Sequence, residues 1–155
     1  MTRETEALKN TITTKMLGDA GENFALAMLT FHGFPCVKMP DCWPQYDLIV
    51  EKNNVLQKIS VKTRSKTRSF SESSWFGIDS NATFEWLICV LMVDENTIQA
   101  WIVPKNALKK VNKSVKNEAQ DKLHNRPTET ADRISIKTLQ SDKYKKFEAN
   151  WHMRD

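Results

Sequence analysis

The longest apolar run of the 155-residue chain is WLICVLMV (Trp86–Val93), and it limits the possible folds most strongly. A membrane-spanning helix needs roughly 20 consecutive apolar residues, whereas this run has the length of a buried β-strand. A polar turn at 94–96 separates it from a second extended run, IQAWIV, at Ile98–Val103. The two runs are therefore predicted to pair as a hairpin, with Trp86–Val93 as a central strand.

A helix and another hairpin are predicted ahead of this run. Apolar residues recur at helical spacing between Leu17 and Phe31, which predicts a helix that ends near Gly33. A short strand is expected at 35–39. The β-type runs YDLIVEKN and VLQKISVKTR follow, and the Asn53-Asn54 pair between them favours a β-hairpin.

The second run of this hairpin alternates in character along its length. Its two sets of side chains are Ile59, Val61 and Thr63, and Lys58, Ser60, Lys62 and Arg64. Successive side chains of a strand point to opposite faces of the sheet. One face is therefore predicted to be packed, and the other to be polar and basic.

The remaining elements complete an α/β sandwich, in which helices flank a central mixed sheet. Trp75–Ile78 is expected to be a short edge strand, and Pro104 to begin a helix. The polar, weakly patterned residues 112–133 are predicted to be a loop. A strand at 133–139 and a helix at 141–151 follow. We expect a single domain over 1–155, with a polar N-terminal extension at 1–15.

Composition and charge place the chain among soluble globular proteins. Hydrophobic residues make up 40% and charged residues 27% of it, and the polar N-terminus lacks a secretory signal. We expect a cytoplasmic protein that does not enter a membrane. The segment from Lys58 to Arg68 holds five basic residues and no acid: Lys58, Lys62, Arg64, Lys66 and Arg68. Uncompensated charge of this kind attracts a polyanion such as DNA, although a solvated basic loop has the same composition.

An acid and a lysine on the predicted hairpin suggest phosphodiester chemistry. Hydrolysis assisted by Mg²⁺ needs carboxylates to hold the ion and a cation near the attacking water or the phosphate. Neighbouring strands lie about 4.8 Å apart, so Asp47 early in the first strand and Lys62 on the second can converge. Such a pair is common and carries little weight alone.

The ordered set of motifs resembles the PD-(D/E)XK nuclease superfamily. The strings GDAGENFALAMLTFHGF, YDLIV and ISVKTR match its helix with a glutamate, its strand with an aspartate and its next strand ending in x-Lys. They are especially similar to the branch of small homing endonucleases and Holliday-junction-resolvase-like enzymes. The resemblance covers about residues 17–66 and implies a restriction-endonuclease-like fold. It also implies a DNA endonuclease that uses Mg²⁺, with Mn²⁺ as a substitute, and forms a homodimer.

The resemblance assigns roles to individual residues. Glu22 would be the acid of the helix and support the metal site, while Asp47 would be the central metal ligand. The backbone carbonyl of Val61 would be a further ligand, and Lys62 would orient or activate the attacking water. The literal Pro40-Asp41 pair lies in a turn-rich connector and is not expected to take part.

One position departs from the family pattern. Ser60 stands where the family has an acid or a glutamine, two residues before Lys62, and its hydroxyl is a weaker, neutral ligand. The site would then bind Mg²⁺ through the other groups and water, or it would be inactive and leave a DNA-binding or assembly protein. A scaffolding role without nucleic acid is a third hypothesis.

Other chemistries have less support in the sequence. The three histidines are scattered and form no zinc-binding spacing. Ser60 lacks the surroundings of a serine nucleophile, and without a phosphate-binding glycine loop no nucleotide cofactor is expected. The five tryptophans are mostly core candidates, but Trp75 lies in a serine-rich setting beside the basic cluster. Trp75 is therefore a candidate for stacking on a base.

Overall fold

The computed structural model describes residues 12–68, 70–71, 74–79, 82–108, 113–115 and 130–155. Its helices are α1 (Thr14–Phe31), α2 (Ile136–Leu139) and α3 (Asp142–Lys145), and a 3₁₀ turn spans Lys105–Leu108. Its strands are β1 (Cys36–Lys38), β2 (Leu48–Lys52), β3 (Val55–Ser65), β4 (Trp75–Ile78), β5 (Trp86–Met92), β6 (Ile98–Pro104), β7 (Lys113–Val115) and β8 (Thr130–Ser135).

A five-stranded mixed sheet forms the centre of the fold. Its order is β1-β2-β3-β5-β6, with β3 and β5 parallel and the other neighbours antiparallel. This arrangement confirms the predicted α/β class and both predicted hairpins. A second sheet, of order β4-β8-β7, was not predicted, and in it β4 is an edge strand as expected.

The turn at Asn53-Asn54 fixes the register of the β2–β3 hairpin. Both asparagines have positive φ angles, 54° and 62°, and asparagine tolerates this conformation well. They connect Lys52 to its partner Val55, and from there the ladder runs to Leu48 opposite Ile59.

Strand β5 is buried on both faces, because a separate core covers each. Ile88 and Val90 belong to the core that includes Ala25 and Leu29 of α1. Leu87, Cys89 and Leu91 belong to the second core, which includes the small sheet's Phe76 and Ile134. The continuous apolar sequence of β5 follows from this position between two layers.

Helix α1 packs against β3 through a glycine. It begins three residues earlier than predicted, because the Thr13 hydroxyl caps it by accepting a hydrogen bond from the Met16 N–H at 3.1 Å. A Cβ atom at Gly21 would lie only 1.8 Å from Thr63 Oγ1. The helix can approach the strand this closely only because Gly21 has no side chain.

The predictions for the last third of the chain need correction. In the predicted loop at 112–133, the described residues 113–115 and 130–133 are strands of the small sheet, where backbone pairing orders a polar sequence. Its other residues lie outside the described part. Pro104 ends β6 instead of beginning a helix, and the 3₁₀ turn follows.

The C-terminal elements also differ from the prediction. The strand predicted at 133–139 stops at Ser135, because its hydroxyl accepts a hydrogen bond from the Thr138 N–H and caps α2. The helix predicted at 141–151 is the single turn α3. Within the described residues, no helix is long and apolar enough to cross a membrane.

Candidate active site

The candidate site forms at the end of the β2–β3 ladder. There β2 stops pairing at Leu48, while β3 continues to Ser65. Beyond Ile59, β3 has no partner in β2, and Asp47 lies at this opening. Its carboxylate accepts a hydrogen bond from the Val61 N–H at 2.7 Å, while its own N–H donates to the Ile59 carbonyl at 2.8 Å. Asp47 and Leu48 thus face the same residue, as in a β-bulge, a feature that re-aims side chains beside active sites.

Glu22 reaches this opening from α1, one residue after the Gly21 contact. Burial raises the pKa of the Glu22 carboxyl, the hydrogen bond from Lys38 opposes this, and the negative charge of Asp47 raises the pKa further. The two acids that the sequence singled out are therefore close enough to repel each other. Their proximity is tertiary, since they come from different elements.

A lysine that the sequence analysis did not select lies beside these acids. The Lys38 amine on β1 is 3.2 Å from a carboxylate oxygen of Glu22 and 3.9 Å from one of Asp19. The Lys15 amine contacts Asp19 at 2.8 Å and Asp41 at 3.0 Å. Glu22 therefore lies in an ion-pair network with Asp19 and Asp41. No motif distinguished Lys38 from the other lysines.

The polar set on β3 lies on the face opposite α1, so the alternation separated the two sets correctly, but the prediction that only one face is packed was wrong. Ser60 is next to Leu87 and Lys62 is next to Cys89, which are both residues of the second core. Ser60 is only 5% exposed, and Lys62 is half-buried. Burial raises the pKa of the Cys89 thiol, and the positive charge of Lys62 opposes this. Among the described residues, Lys62 forms no ion pair with either carboxylate.

The predicted nucleic-acid-binding residues have different surroundings. The Arg64 guanidinium donates to the Trp75 carbonyl at 2.9 Å and so connects β3 to the small sheet. The Arg133 guanidinium lies 5.2 Å from the centre of the Trp75 ring, so one face of that ring is covered by the chain itself.

Of the other predicted DNA-binding residues, Lys66 is exposed and Arg68 is half-buried. The Lys58 amine lies over the Tyr46 ring at 5.5 Å.

The two carboxylates suit a divalent cation. Mg²⁺ often binds through one or two carboxylates and keeps several waters. A cation between Glu22 and Asp47 would favour the ionised carboxylates, against the burial and the mutual repulsion that raise the Glu22 pKa. The part of the chain that is described contains no group of three or more His, Cys, Asp and Glu side chains placed to hold a metal. Water and backbone oxygen would therefore have to complete the coordination.

A homing endonuclease of known structure has a similar architecture. No family model matches the sequence, and comparison with curated proteins gives no match. The structure is similar to that of a bacterial homing endonuclease, I-Ssp6803I, with a TM-score of 0.56 and 16% identity over 91% of this chain and 90% of that one. A Holliday junction resolvase, Hjc from Archaeoglobus fulgidus, aligns with a TM-score of 0.43 and 12% identity over 79% of this chain and 96% of that one.

The chain thus has an α/β fold similar to that of this homing endonuclease, in agreement with the restriction-endonuclease-like sandwich that the sequence motifs implied. The fold places Glu22 and Asp47 together at the opening between β2 and β3. Fold alone does not determine activity, so the chemistry must be argued from the site.

Proposed function

We propose that this protein is a Mg²⁺-dependent endonuclease that hydrolyses DNA phosphodiester bonds. The observation that carries the proposal is the meeting of Glu22 and Asp47 at the end of the β2 ladder, with Asp47 on the Val61 N–H. Similarity to a homing endonuclease in fold and the basic segment of β3 support it.

Each residue has a defined task in this proposal. Glu22 and Asp47 would hold the metal ion, with the Val61 carbonyl as a further ligand. The bound ion supplies Lewis-acid stabilisation of the charge that develops on the phosphate. The hydrogen bond from Val61 holds the Asp47 carboxylate in one orientation. The Lys62 amine would orient the attacking water and raise the positive potential beside the scissile phosphate.

The basic residues around the site would bind the DNA backbone. Lys58 and Lys66 extend from β3 and the turn after it, and Arg68 follows two residues later. Phosphate contacts of this kind position a nucleic acid without reading its sequence. Arg64 would contribute positive charge from its fixed position on the Trp75 carbonyl. Trp75 would contact a base only through the ring face that Arg133 leaves open.

Nicking of supercoiled plasmid with Mg²⁺ or Mn²⁺ tests the proposal. Asp47→Asn keeps the shape of the side chain but removes its charge, and we expect cleavage to fall by about 100-fold or more. Lys62→Met should lower the rate similarly. The control is Glu95→Gln, in the exposed turn between β5 and β6, and it should cleave like the wild type. Cleavage that survives Asp47→Asn would refute the proposed site.

A non-catalytic DNA-binding or assembly protein is the second candidate, and two observations favour it. Ser60 is buried and offers no carboxylate, and the Lys38 amine already neutralises Glu22. This candidate predicts salt-dependent DNA binding without nicking under any metal condition. Restoring the acid with Ser60→Glu would then be expected to produce cleavage, provided that the variant folds.

A homodimer in the cytoplasm belongs to the same proposal. A small nuclease with one site per chain needs two copies to cut both strands of a duplex. Analytical ultracentrifugation, with and without DNA, measures this directly. A protein that stays monomeric on duplex DNA and makes only nicks would contradict the dimer but not the active site.

A further inference from the structure

The segment 40–46 (PDCWPQY) connects β1 to β2 and ends directly before Asp47. It carries Trp43, which is 47% exposed, whereas Trp86, Trp101 and Trp151 are each at most 5% exposed. The expectation that the tryptophans lie mostly in the core is confirmed by these three, and Trp43 is an exception. Trp43 thus presents part of its indole to solvent four residues before Asp47.

Contacts with α1 and with the residues before β5 hold this segment in place. Asp41 pairs with the Lys15 amine of α1 at 3.0 Å, and within the segment the Trp43 N–H donates to the Pro40 carbonyl at 2.8 Å. The Gln45 amide oxygen accepts a hydrogen bond from the Thr83 hydroxyl at 2.7 Å. The indole is thus presented by an anchored turn.

The neighbours of Trp43 combine aromatic surface with positive charge. The rings of Trp43 and Tyr46 meet edge to face with centroids 6.1 Å apart, and the Lys58 amine lies 5.5 Å from the centre of the Tyr46 ring. Among the described ion pairs, none involves Lys58. An aromatic surface beside a cation that no described carboxylate pairs with is the combination that binds a base and its phosphate in single-stranded nucleic acid.

We propose that Trp43 stacks on an unpaired base, with Lys58 near the adjoining phosphate, so that the preferred substrate is single-stranded or branched DNA. The inference rests on the proposed function, because it assumes that DNA occupies the site at Asp47. Bases within an intact duplex are already stacked on each other, so they are not available to the indole. A strand with an unpaired base beside the scissile phosphate can contact both the Trp43 indole and the Lys58 amine.

Binding without metal tests this separately from cleavage. Fluorescence anisotropy in EDTA compares a labelled single strand, a flapped duplex and a blunt duplex of matched length. Trp43→Ala should weaken binding of the first two by about tenfold, since stacking is sequence-tolerant and strong. Binding of the blunt duplex should change by less than about twofold. Trp43→Phe should retain most of the affinity because a ring remains.

The matched control is Phe31→Ala, since Phe31 is 87% exposed at the far end of α1. It should leave all three affinities unchanged. Equal losses on the blunt duplex and the single strand, or no loss on either, would overturn the stacking role. Dissociation of a dimer by Trp43→Ala, without a selective loss of single-strand binding, would also overturn it and assign Trp43 to a subunit interface.

The outcomes also separate this inference from the proposed function. Selective loss of single-strand binding in Trp43→Ala, in a protein that never nicks DNA, supports the inference and refutes the nuclease. Metal-dependent nicking, together with unchanged DNA binding by Trp43→Ala, supports the nuclease and refutes the stacking role of Trp43. A wild-type protein that binds no DNA at low salt refutes both.

Discussion

The two faces of β3 are held in different ways. On the α1 face, Ile59 and Val61 are buried in an apolar core, and Thr63 lies directly beneath Gly21. On the other face, Ser60, Lys62 and Arg64 alternate with them, and Arg64 is fixed by a hydrogen bond to the Trp75 carbonyl. Close packing positions the first face, whereas the second combines packing of Ser60 and Lys62 beside the second core with the polar contact of Arg64.

This difference separates the tasks of the candidate site. The position of the Glu22 carboxylate depends on how closely α1 approaches β3, because Glu22 is adjacent to the glycine at that contact. The cations depend on the strand itself, which supplies Lys62 and Arg64 from one face. Damage to the helix contact should therefore affect the metal site, while leaving the basic face in place.

The largest expected effect is on the helix contact. Gly21→Ala places a Cβ atom against Thr63, and we expect a loss of about 3 kcal/mol in the free energy of unfolding. Gly18→Ala is the control, because nothing lies within 4 Å of a Cβ there. That change should stabilise the helix by about 0.5–1 kcal/mol. Urea denaturation measures both, and equal effects of the two variants would refute the role of the close contact.

The next effect concerns the cation beside the acids. Lys38→Met keeps most of the aliphatic side chain but removes the charge 3.2 Å from Glu22. We expect Mn²⁺ to bind about tenfold more tightly, because the ion no longer competes with the amine. Lys15→Met, which removes a more exposed amine, should change the affinity less. Isothermal titration calorimetry measures both, and weaker binding by Lys38→Met would show that the amine supports the metal site.

A smaller effect is expected at Thr63. Its hydroxyl oxygen is buried without a hydrogen-bond partner among the described residues. Thr63→Val keeps the shape and removes the unpaired oxygen, so it should raise the free energy of unfolding by about 1 kcal/mol. Thr30→Val is the control, since the Thr30 hydroxyl is exposed and bonded to the Leu26 carbonyl. Destabilisation by Thr63→Val would mean that the hydroxyl has a partner, such as an ordered water.

The smallest effect is the pH dependence that Glu22 introduces. Its pKa in the folded protein is raised above the ordinary value of 4.5, so ionised Glu22 is less favourable in the folded state than in the unfolded one. The contribution of Glu22 to stability is therefore present below pH 4.5, and it is lost as the pH rises through the raised pKa of the folded state. Glu22→Gln should therefore be more stable than the wild type at pH 7 and lose this advantage at about pH 4. An advantage that grows on acidification would contradict the raised pKa.

Local patterns predicted the parts of the site that lie within one element. The alternation of Ser60 and Lys62 with apolar residues, and the Asn53-Asn54 turn, gave the correct hairpin and separated its two sets of side chains correctly. The motif also selected Glu22 and Asp47, but their spacing in the sequence does not show that they lie close together in space. The structure shows that approach, while the catalytic roles stay predictions.

Features that depend on distant segments were not predictable from these patterns. Lys38 lies beside Glu22 only because β1 is next to β2 in the sheet. The small sheet pairs β4 with β8, whose strands are far apart in sequence and have little apolar alternation. The sequence did not show which tryptophan would be the exposed one, because the position of Trp43 depends on contacts of Asp41 and Gln45 with distant segments.

The turn at Asn53-Asn54 lies at the far end of the hairpin from the carboxylates, yet it determines which atoms Asp47 can reach. With two residues in the turn, the ladder places Leu48 opposite Ile59 and Asp47 at the Val61 N–H. A one-residue insertion at the tip would shift the pairing by about 3.3 Å and exchange the faces of the strand. The geometry of the site therefore depends on the length of a short exposed turn, although no atom of that turn belongs to the site.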